Sequence, residues 1–327
     1  RQQRALLWCV LASAWEAAWG QLRYSLPEEM PKGSFVGDVA KDLGLQLQQH
    51  SERGIYLLDK GRTQYFALHG QTGHLVTAER IDREQLCRLV EKCVLRCEVI
   101  VEGKIQVYGI EVEITDINDN APSFKDIELE ERISEMTVLG SRFPLAEAHD
   151  PDSGKNSLQS YELSGDEHFS LAVQSGPGGD RHPELVLAKA LDREEAAFHE
   201  LVLRASDGGD PARTGTARIR VTVLDANDNA PVFSPADARL SENNAAGALV
   251  LTVRATDADW GQNARVRYRL GEGRVRGAPL SSYVSVQAET GALYALRSFD
   301  YEEVRELELW VRAEDGGAPA LSSNVSV

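Results

Sequence analysis

A run of Asp, Asn and Pro occurs twice in this chain, as Asp116-Ile117-Asn118-Asp119-Asn120-Ala121-Pro122 and as Asp225-Ala226-Asn227-Asp228-Asn229-Ala230-Pro231, with starts 109 residues apart. That separation is about one domain length, and self-similarity at a fixed period marks a repeat architecture. Each run follows an alternating apolar and polar stretch and precedes a new one. The run is too polar for a core and too regular for an accidental loop. It reads as a linker between repeated domains, with its side-chain and carbonyl oxygens carrying the chemistry.

The repetition extends beyond the linker. Glu28, Glu135 and Glu242 each stand five residues before a glycine, Gly33, Gly140 and Gly247. Asp82-Arg83-Glu84, Asp192-Arg193-Glu194 and Asp300-Tyr301-Glu302 follow at intervals of 110 and 108 residues. Asp150/Asp152 and Asp257/Asp259 occur only after a linker, and both pairs continue into a Gly and an Asn (Gly154 and Asn156, Gly261 and Asn263). Asp207-Gly208-Gly209 and Asp315-Gly316-Gly317 complete the set. The first unit has neither the Asp-x-Asp pair nor the Asp-Gly-Gly, which makes sense if each site is built across a junction.

At 327 residues the chain holds three such units, each large enough for a core of its own. We divide it into a leader at 1–20, a first repeat at 21–120, a second at 121–229 and a third, truncated, at 230–327. Arg1 and Arg4 precede an apolar stretch, Ala5 to Trp19, and small residues Ala18 and Gly20 stand ahead of Gln21. This pattern is that of a secretory signal peptide, too short to span a bilayer. The chain stops at Val327, inside what should be the last strand of the third unit, and so reads as the N-terminal fragment of a longer protein.

The net charge of −16 excludes nucleic acid as a natural partner, because phosphate recognition needs Lys/Arg surfaces. An enzyme is excluded on motifs. The seven His show no metal-protease spacing, and neither Gly-x-Ser-x-Gly nor a phosphate loop occurs. His149 beside Asp150 is the nearest approach to a catalytic pair, and Asp150 already belongs to the repeated acidic set.

The fold class follows from period-two patterning. Ile110, Val112 and Ile114 alternate with Glu111 and Glu113; Ile219, Val221 and Val223 with Arg218, Arg220 and Thr222; Leu307, Leu309 and Val311 with Glu306, Glu308 and Arg312. Such alternation predicts half-buried antiparallel strands. Short strands with turn signals such as Gly208-Gly209-Asp210-Pro211 imply an all-β sandwich of about 100 residues per unit. Phe35 to Gln49 alone has some helical period and predicts a short helix or turn at most.

Around the first junction gather Glu28, Asp82, Glu84, Asp116, Asp119, Asp150, Asp152 and Asp207. Glu135, Asp192, Glu194, Asp225, Asp228, Asp257, Asp259 and Asp315 repeat that set at the second. Calcium takes six to eight oxygen ligands, and carboxylates, amides and carbonyls all serve. No His or Cys recurs with the acids, which argues against zinc or copper; magnesium rarely accepts a cage made wholly of protein oxygens. An EF-hand is excluded, because Asp150-Pro151-Asp152-Ser153-Gly154 starts like one but its twelfth position is Tyr161.

A basal Glu, Asp-Arg-Glu, Asp-x-Asn-Asp-Asn-Ala-Pro, Asp-x-Asp and Asp-Gly-Gly, in that order, resemble extracellular cadherin repeats over everything after residue 20. The resemblance implies tandem Greek-key β-sandwiches joined by calcium-binding linkers into an elongated rod. It implies that Glu28, Asp82, Glu84, Asp116 and Asp119 hold two calcium ions at the first junction. The third ion would take Asn118, Asp150, Asp152 and Asp207, with carbonyls from Ile117, Asn120 and Asn156. At the second junction the same roles fall to Glu135, Asp192, Glu194, Asp225 and Asp228, then to Asn227, Asp257, Asp259 and Asp315, with Ala226, Asn229 and Asn263 giving carbonyls. Glu242, Asp300 and Glu302 would be half of a third junction whose other half lies beyond Val327. Three calcium ions would set six positive charges against eight carboxylates, which otherwise repel. Calcium is thereby expected to stiffen flexible joints, at affinities that extracellular modules often tune to about 10⁻⁴–10⁻³ M.

The first unit resembles a clustered protocadherin of the gamma subgroup, through Tyr24-Ser25-Leu26-Pro27-Glu28-Glu29, Lys32-Gly33-Ser34-Phe35-Val36-Gly37, Ala40-Lys41-Asp42-Leu43-Gly44-Leu45, and Cys87 with Cys93. The mature start Gln21-Leu22-Arg23-Tyr24 lacks the Trp anchor of the strand-swapping cadherins. The resemblance implies neuronal cell-surface recognition on the extracellular side of the plasma membrane, by a single-pass protein whose span is outside this chain. Matching isoforms on apposed cells would pair homophilically and antiparallel, first repeat against fourth and second against third, and related protocadherins are candidate cis partners. The alternative is a calcium-stiffened spacer or a heterophilic cadherin that never pairs with itself.

Cys9 leaves with the leader. Cys87 and Cys93 close a short loop and are expected to be disulfide-bonded in a secreted chain. Cys97, in phase with Val99 and Val101, is expected to be a buried thiol rather than an intermolecular bridge. Asn324-Val325-Ser326 is the single N-glycosylation sequon.

Overall fold

The computed structural model describes residues 21–45, 55–58, 61, 63–88, 90–101, 106–176, 180–235 and 238–327. The leader expected at residues 1–20 lies outside the described residues. Three separate apolar clusters mark three β-sandwich units, centred on Leu75, Val99, Ile110 and Val112; on Leu185, Leu203, Ile219 and Val221; and on Val253, Leu293 and Val311. Each such side chain contributes roughly 1.5–3 kcal/mol when fully buried.

In the first unit one sheet runs Gln21–Pro27, Gln106–Thr115, Cys93–Val101, Ile55–Leu58, and faces a second of Phe35–Asp38, His74–Thr77, Phe66–Leu68. In the second unit, Leu158–Ser164, Phe198–Asp207, Thr214–Leu224 and Glu128–Ser134 face Arg142–Pro144, Arg181–Leu187 and Phe169–Ser175. The hairpin of Phe198–Asp207 with Thr214–Leu224 shows why these residues make strands. Its apolar positions are buried at every second residue, so both strands present one face to the core.

The first strand of each complete sandwich pairs parallel with the last, and this places the acids. Leu26 lies opposite Ile114 and Pro27 opposite Thr115. Glu28 then donates its backbone N–H to Thr115 O at 3.0 Å, one residue before the linker begins at Asp116. In the second unit Ser134 lies opposite Leu224, and Glu135 N donates to Leu224 O at 3.2 Å, one residue before Asp225. A glutamate about 85–90 residues from its linker is thus carried to the linker's first residue by strand register.

The third unit differs from the other two. Arg267–Leu270, Trp310–Glu314 and Ser322–Ser326 form one sheet, and Leu249–Thr252, Ala292–Ala295 and Val284–Val286 the other. Among the described residues no strand takes the place of Gln21–Pro27. The alternation read from Glu306 onward is realised as a strand only from Trp310. Its ladder with Ser322–Ser326 reaches Leu309 opposite Val327, and Glu308 Oε1 accepts from Ser326 Oγ at 3.2 Å.

The segment with helical period resolves into a strand, Phe35–Asp38, and one helical turn, Val39–Asp42, capped by the Asp38 carboxylate on Lys41 N. Residues 46–49 of that stretch lie outside the described residues. Cys87 and Cys93 form a disulfide with Cα atoms 5.6 Å apart, and Cys97 is buried further along the strand Cys93–Val101. No helix among the described residues is long and apolar enough to cross a membrane.

Candidate metal centres

Each junction is organised by one buried glutamate. Glu28 is 2% exposed. Its Oε2 accepts from Arg83 N at 2.7 Å and its Oε1 from Ile117 N at 3.0 Å, which ties the strand end, the Asp-Arg-Glu turn and the linker together. Glu135 makes the same pair of bonds, from Arg193 N at 2.7 Å and Ala226 N at 2.5 Å. Asp82 caps the helix Arg83–Cys87 by accepting from Gln85 N at 2.8 Å. Asp192 accepts from Glu194 N and Glu195 N. These bonds hold the acids of the lower repeat in position.

The linker aspartates reach into the next repeat. Asp116 Oδ1 accepts from Ser153 N at 2.9 Å and its Oδ2 from Asn156 Nδ2 at 2.9 Å; Asp225 repeats both bonds with Trp260 N and Asn263 Nδ2. Asn120 spans the same gap, donating from Nδ2 to both Asp119 Oδ1 and Asp152 Oδ1 at 2.7 Å, as Asn229 does to Asp228 and Asp259 at 2.8 Å. Asp150 and Asp257 accept the backbone N–H two residues on. Asp207 and Asp315 do the same in the Asp-Gly-Gly turns, from Gly209 N and Gly317 N at 3.0 Å.

The second glycine of that turn has a steric cause. A Cβ on Gly209 would collide with the Asn118 side chain, and one on Gly317 with Asn227. This close approach lets Asn118 Nδ2 donate to Pro211 O and Asn227 Nδ2 to Pro319 O, both at 2.8 Å.

Glu28, Glu84 and Asp116 present oxygens within 4.8 Å of one another, as do Glu84, Asp119 and Asp152. At the second junction the groups are Glu135, Asp192, Glu194, with Asp192 in place of the linker aspartate, and Glu194, Asp228, Asp259, the direct counterpart of the second. The crowding shows in their proton affinities. Burial first, then the Glu28 carboxyl against it and the charge of Asp116, push Glu84 up to about 8. Burial, reinforced by the charges of Asp152, Asp207 and Asp116, pushes Asp150 up to about 6, although it accepts the Asp152 N–H. Asp119, Asp152, Glu194, Asp228 and Asp257 are raised as well, burial leading in each.

The donor set fits calcium on a separate observation. Seven buried side-chain oxygen or nitrogen atoms among the described residues lack a hydrogen-bond partner, and six belong to the junctions: Glu84 Oε1, Asn118 Oδ1, Asp150 Oδ2, Asp207 Oδ2, Asn227 Oδ1 and Asp257 Oδ2. Asn118 and Asn227, and Asp150 and Asp257, are equivalent positions, so the pattern repeats with the domains. Oxygen acceptors buried without donors are costly unless a cation meets them, as Arg83 Nη1 in part meets Glu84 Oε1 at 3.5 Å. All six are oxygens, the ligand type that suits calcium.

Two features escaped the reading of the motifs. Arg83 is fully buried among the first junction's acids, 3.3 Å from Asp116 Oδ1 and 3.5 Å from Glu84 Oε1. Its equivalent Arg193 lies 3.7 Å from Asp225 Oδ1 and 3.8 Å from Glu194 Oε1, and also stacks on Trp260 of the next repeat, 4.7 Å from the ring centre. The Arg within Asp-Arg-Glu was visible in the sequence; only burial shows that it partly offsets the acids. Glu242, Asp300 and Glu302 are all exposed and join no acidic group among the described residues. Asn324 is exposed on the strand Ser322–Ser326.

Comparison with known proteins places these features in a family. Residues 21–103 match the family described as cadherin-like, and residues 130–224 and 236–327 match the cadherin domain. The human (Homo sapiens) protocadherin gamma-A12 is 51% identical over 324 residues, covering 98% of this chain and 34% of that protein. The crystal structure of protocadherin gamma C5 EC1-3 superposes with a TM-score of 0.87 at 42% identity, covering 94% of this chain and 98% of that one. The structure of mouse clustered protocadherin gamma C3 EC1-3 does so with a TM-score of 0.86 at 40% identity, with the same coverage.

Proposed function

The chain belongs to the cadherin family, with protocadherin gamma relatives, and from that premise we propose that it is the N-terminal part of a calcium-dependent, homophilic adhesion ectodomain. Cadherin repeats bind calcium, and cadherin-family adhesion proteins are not enzymes. The chain spans about a third of the length of the curated relatives it matches, so what the whole protein joins and where it acts are part of the proposal.

On this reading the repeats divide at 120/121 and 229/230, after a leader at 1–20. Three calcium ions sit at each complete junction on the acids, amides and carbonyls assigned above, and Glu242, Asp300 and Glu302 await a further repeat. The observation that carries it is the set of six orphaned oxygens, four of which fall at equivalent positions of the two junctions, Asn118 with Asn227 and Asp150 with Asp257. Bound calcium would satisfy them, neutralise most of the clustered charge and fix one repeat against the next. A rigid array can then present an extended surface to a matching isoform on the opposite plasma membrane, antiparallel through repeats one to four. Pairing in cis with related protocadherins is compatible with it. Asn324, on an exposed strand, is the glycan acceptor.

Sedimentation of the secreted chain, extended by one repeat, tests this in millimolar calcium and then in EDTA. A dimer seen only with calcium is expected. A four-repeat chain that stays monomeric in calcium overturns homophilic pairing and leaves the spacer or heterophilic reading.

A further inference from the structure

The seventh orphaned atom belongs to neither junction. It is Nε2 of His199, at the start of the strand Phe198–Asp207 in the second repeat, and His199 is 5% exposed. Here a single nitrogen is engaged: Nδ1 lies 2.8 Å from Asp166 Oδ2. The other oxygen of that carboxylate lies 2.5 Å from His168 Nδ1 and also accepts His168 N at 2.8 Å. The two rings stand 4.7 Å apart, and Phe169 packs edge-on against His199 at 5.6 Å.

We propose that Asp166, His168 and His199 form a binding site for zinc, distinct from the calcium junctions. One nitrogen of each ring and a carboxylate oxygen already lie within 4.8 Å of one another. Zinc takes imidazole nitrogen at about 2.0–2.1 Å and carboxylate oxygen at about 2.0–2.2 Å, usually with four ligands. Drawing Nδ1 of both rings and an Asp166 oxygen onto one ion would replace the two hydrogen bonds by coordination, with His199 Nε2 facing away from the ion. Asp166 and His168 sit in the turn between the strands Leu158–Ser164 and Phe169–Ser175, and their side chains are 30% and 26% exposed. The site therefore opens to solvent on that side, leaving a fourth position for water. Two nitrogens and one oxygen are a poor set for calcium and a good one for a borderline cation.

The environment suits a cation in a second respect. Burial alone would raise Asp166, but the His168 backbone N–H and the rings of His199 and His168 together hold its carboxyl below the usual range, so it is a carboxylate at neutral pH. The neighbouring charges, Glu167 and Lys189, pair with each other and leave the three donors uncontested.

The test is a calorimetric titration of the tag-free secreted chain with zinc chloride, in millimolar calcium so that the junction acids are occupied. We expect one equivalent of zinc. His168→Ala and Asp166→Asn should each weaken it by more than about 100-fold, beyond the roughly 10–100-fold of outer-shell changes, while melting in calcium without zinc stays close to that of the parent. His182→Ala, which removes a surface imidazole paired with Glu147, should leave zinc binding unchanged. No binding in calcium, or binding that survives His168→Ala, overturns the proposal.

Discussion

At the residue scale Glu84, Asp119, Asp150, Asp152, Glu194, Asp228 and Asp257 hold their protons more tightly than isolated carboxyls do. A carboxyl raised on folding stabilises the metal-free protein below the unfolded carboxylate range, and that contribution is lost as pH climbs through the folded value. For Asp150 and Glu84 this means loss through about 6 and about 8. The melting temperature in EDTA should therefore fall between about pH 5 and about pH 8, and scanning calorimetry at several pH values would read it. Calcium competes with the same protons, so its apparent affinity should weaken as pH is lowered from about 7.5 to about 5.5. A calcium titration with equal midpoints at both pH values would remove Asp150 and Glu84 from the ligand set. Gly209 gives a second residue-scale prediction. Gly209→Ala drives a Cβ into Asn118, and overpacking of this kind costs about 1–3 kcal/mol. Chemical denaturation of the calcium-loaded chain should show it, with Gly140→Ala as a control for backbone strain without a clash.

At the scale of elements the two junctions share most of a hydrogen-bond scheme and differ in how the arginine of Asp-Arg-Glu is held. Arg83 is enclosed by its own repeat, with Nη2 donating to Val90 O at 2.8 Å. Arg193 reaches across to Trp260, which occupies the position of Ser153. A cation over an indole contributes about 0.5–2 kcal/mol without any metal. The second linker should accordingly resist proteolysis in EDTA better than the first, and Trp260→Ser should erase the difference. Equal cleavage of both linkers in the parent chain would show that the stack adds no stiffness. The parallel pairing of first and last strands is the other element-scale cause, because it sets Glu28 and Glu135 against the linkers. In the third unit that pairing is missing among the described residues, and Glu242 is exposed.

At the scale of the whole molecule, calcium removal should act on the joints and spare the sandwiches, whose cores contain no junction acid. Small-angle scattering is expected to show a broader distribution of dimensions in EDTA while far-ultraviolet dichroism stays unchanged. Loss of strand signal on chelation would mean that the metal holds the repeats folded as well as aligned.

Much of this was legible in the chain itself, for a physical reason. Period-two alternation and recurring acids are local, periodic constraints, so Ile110 to Ile114, Ile219 to Val223 and the paired linkers could be read without coordinates. The split of Phe35 to Asp42 into a strand and one helical turn could not, because pairing with the distant strand His74–Thr77 decides it. Neither could the burial of Arg83, the Arg193–Trp260 stack or the meeting of Asp166, His168 and His199. Those depend on which surfaces the sandwiches and junctions bring together across tens of residues, and only the tertiary structure decides that.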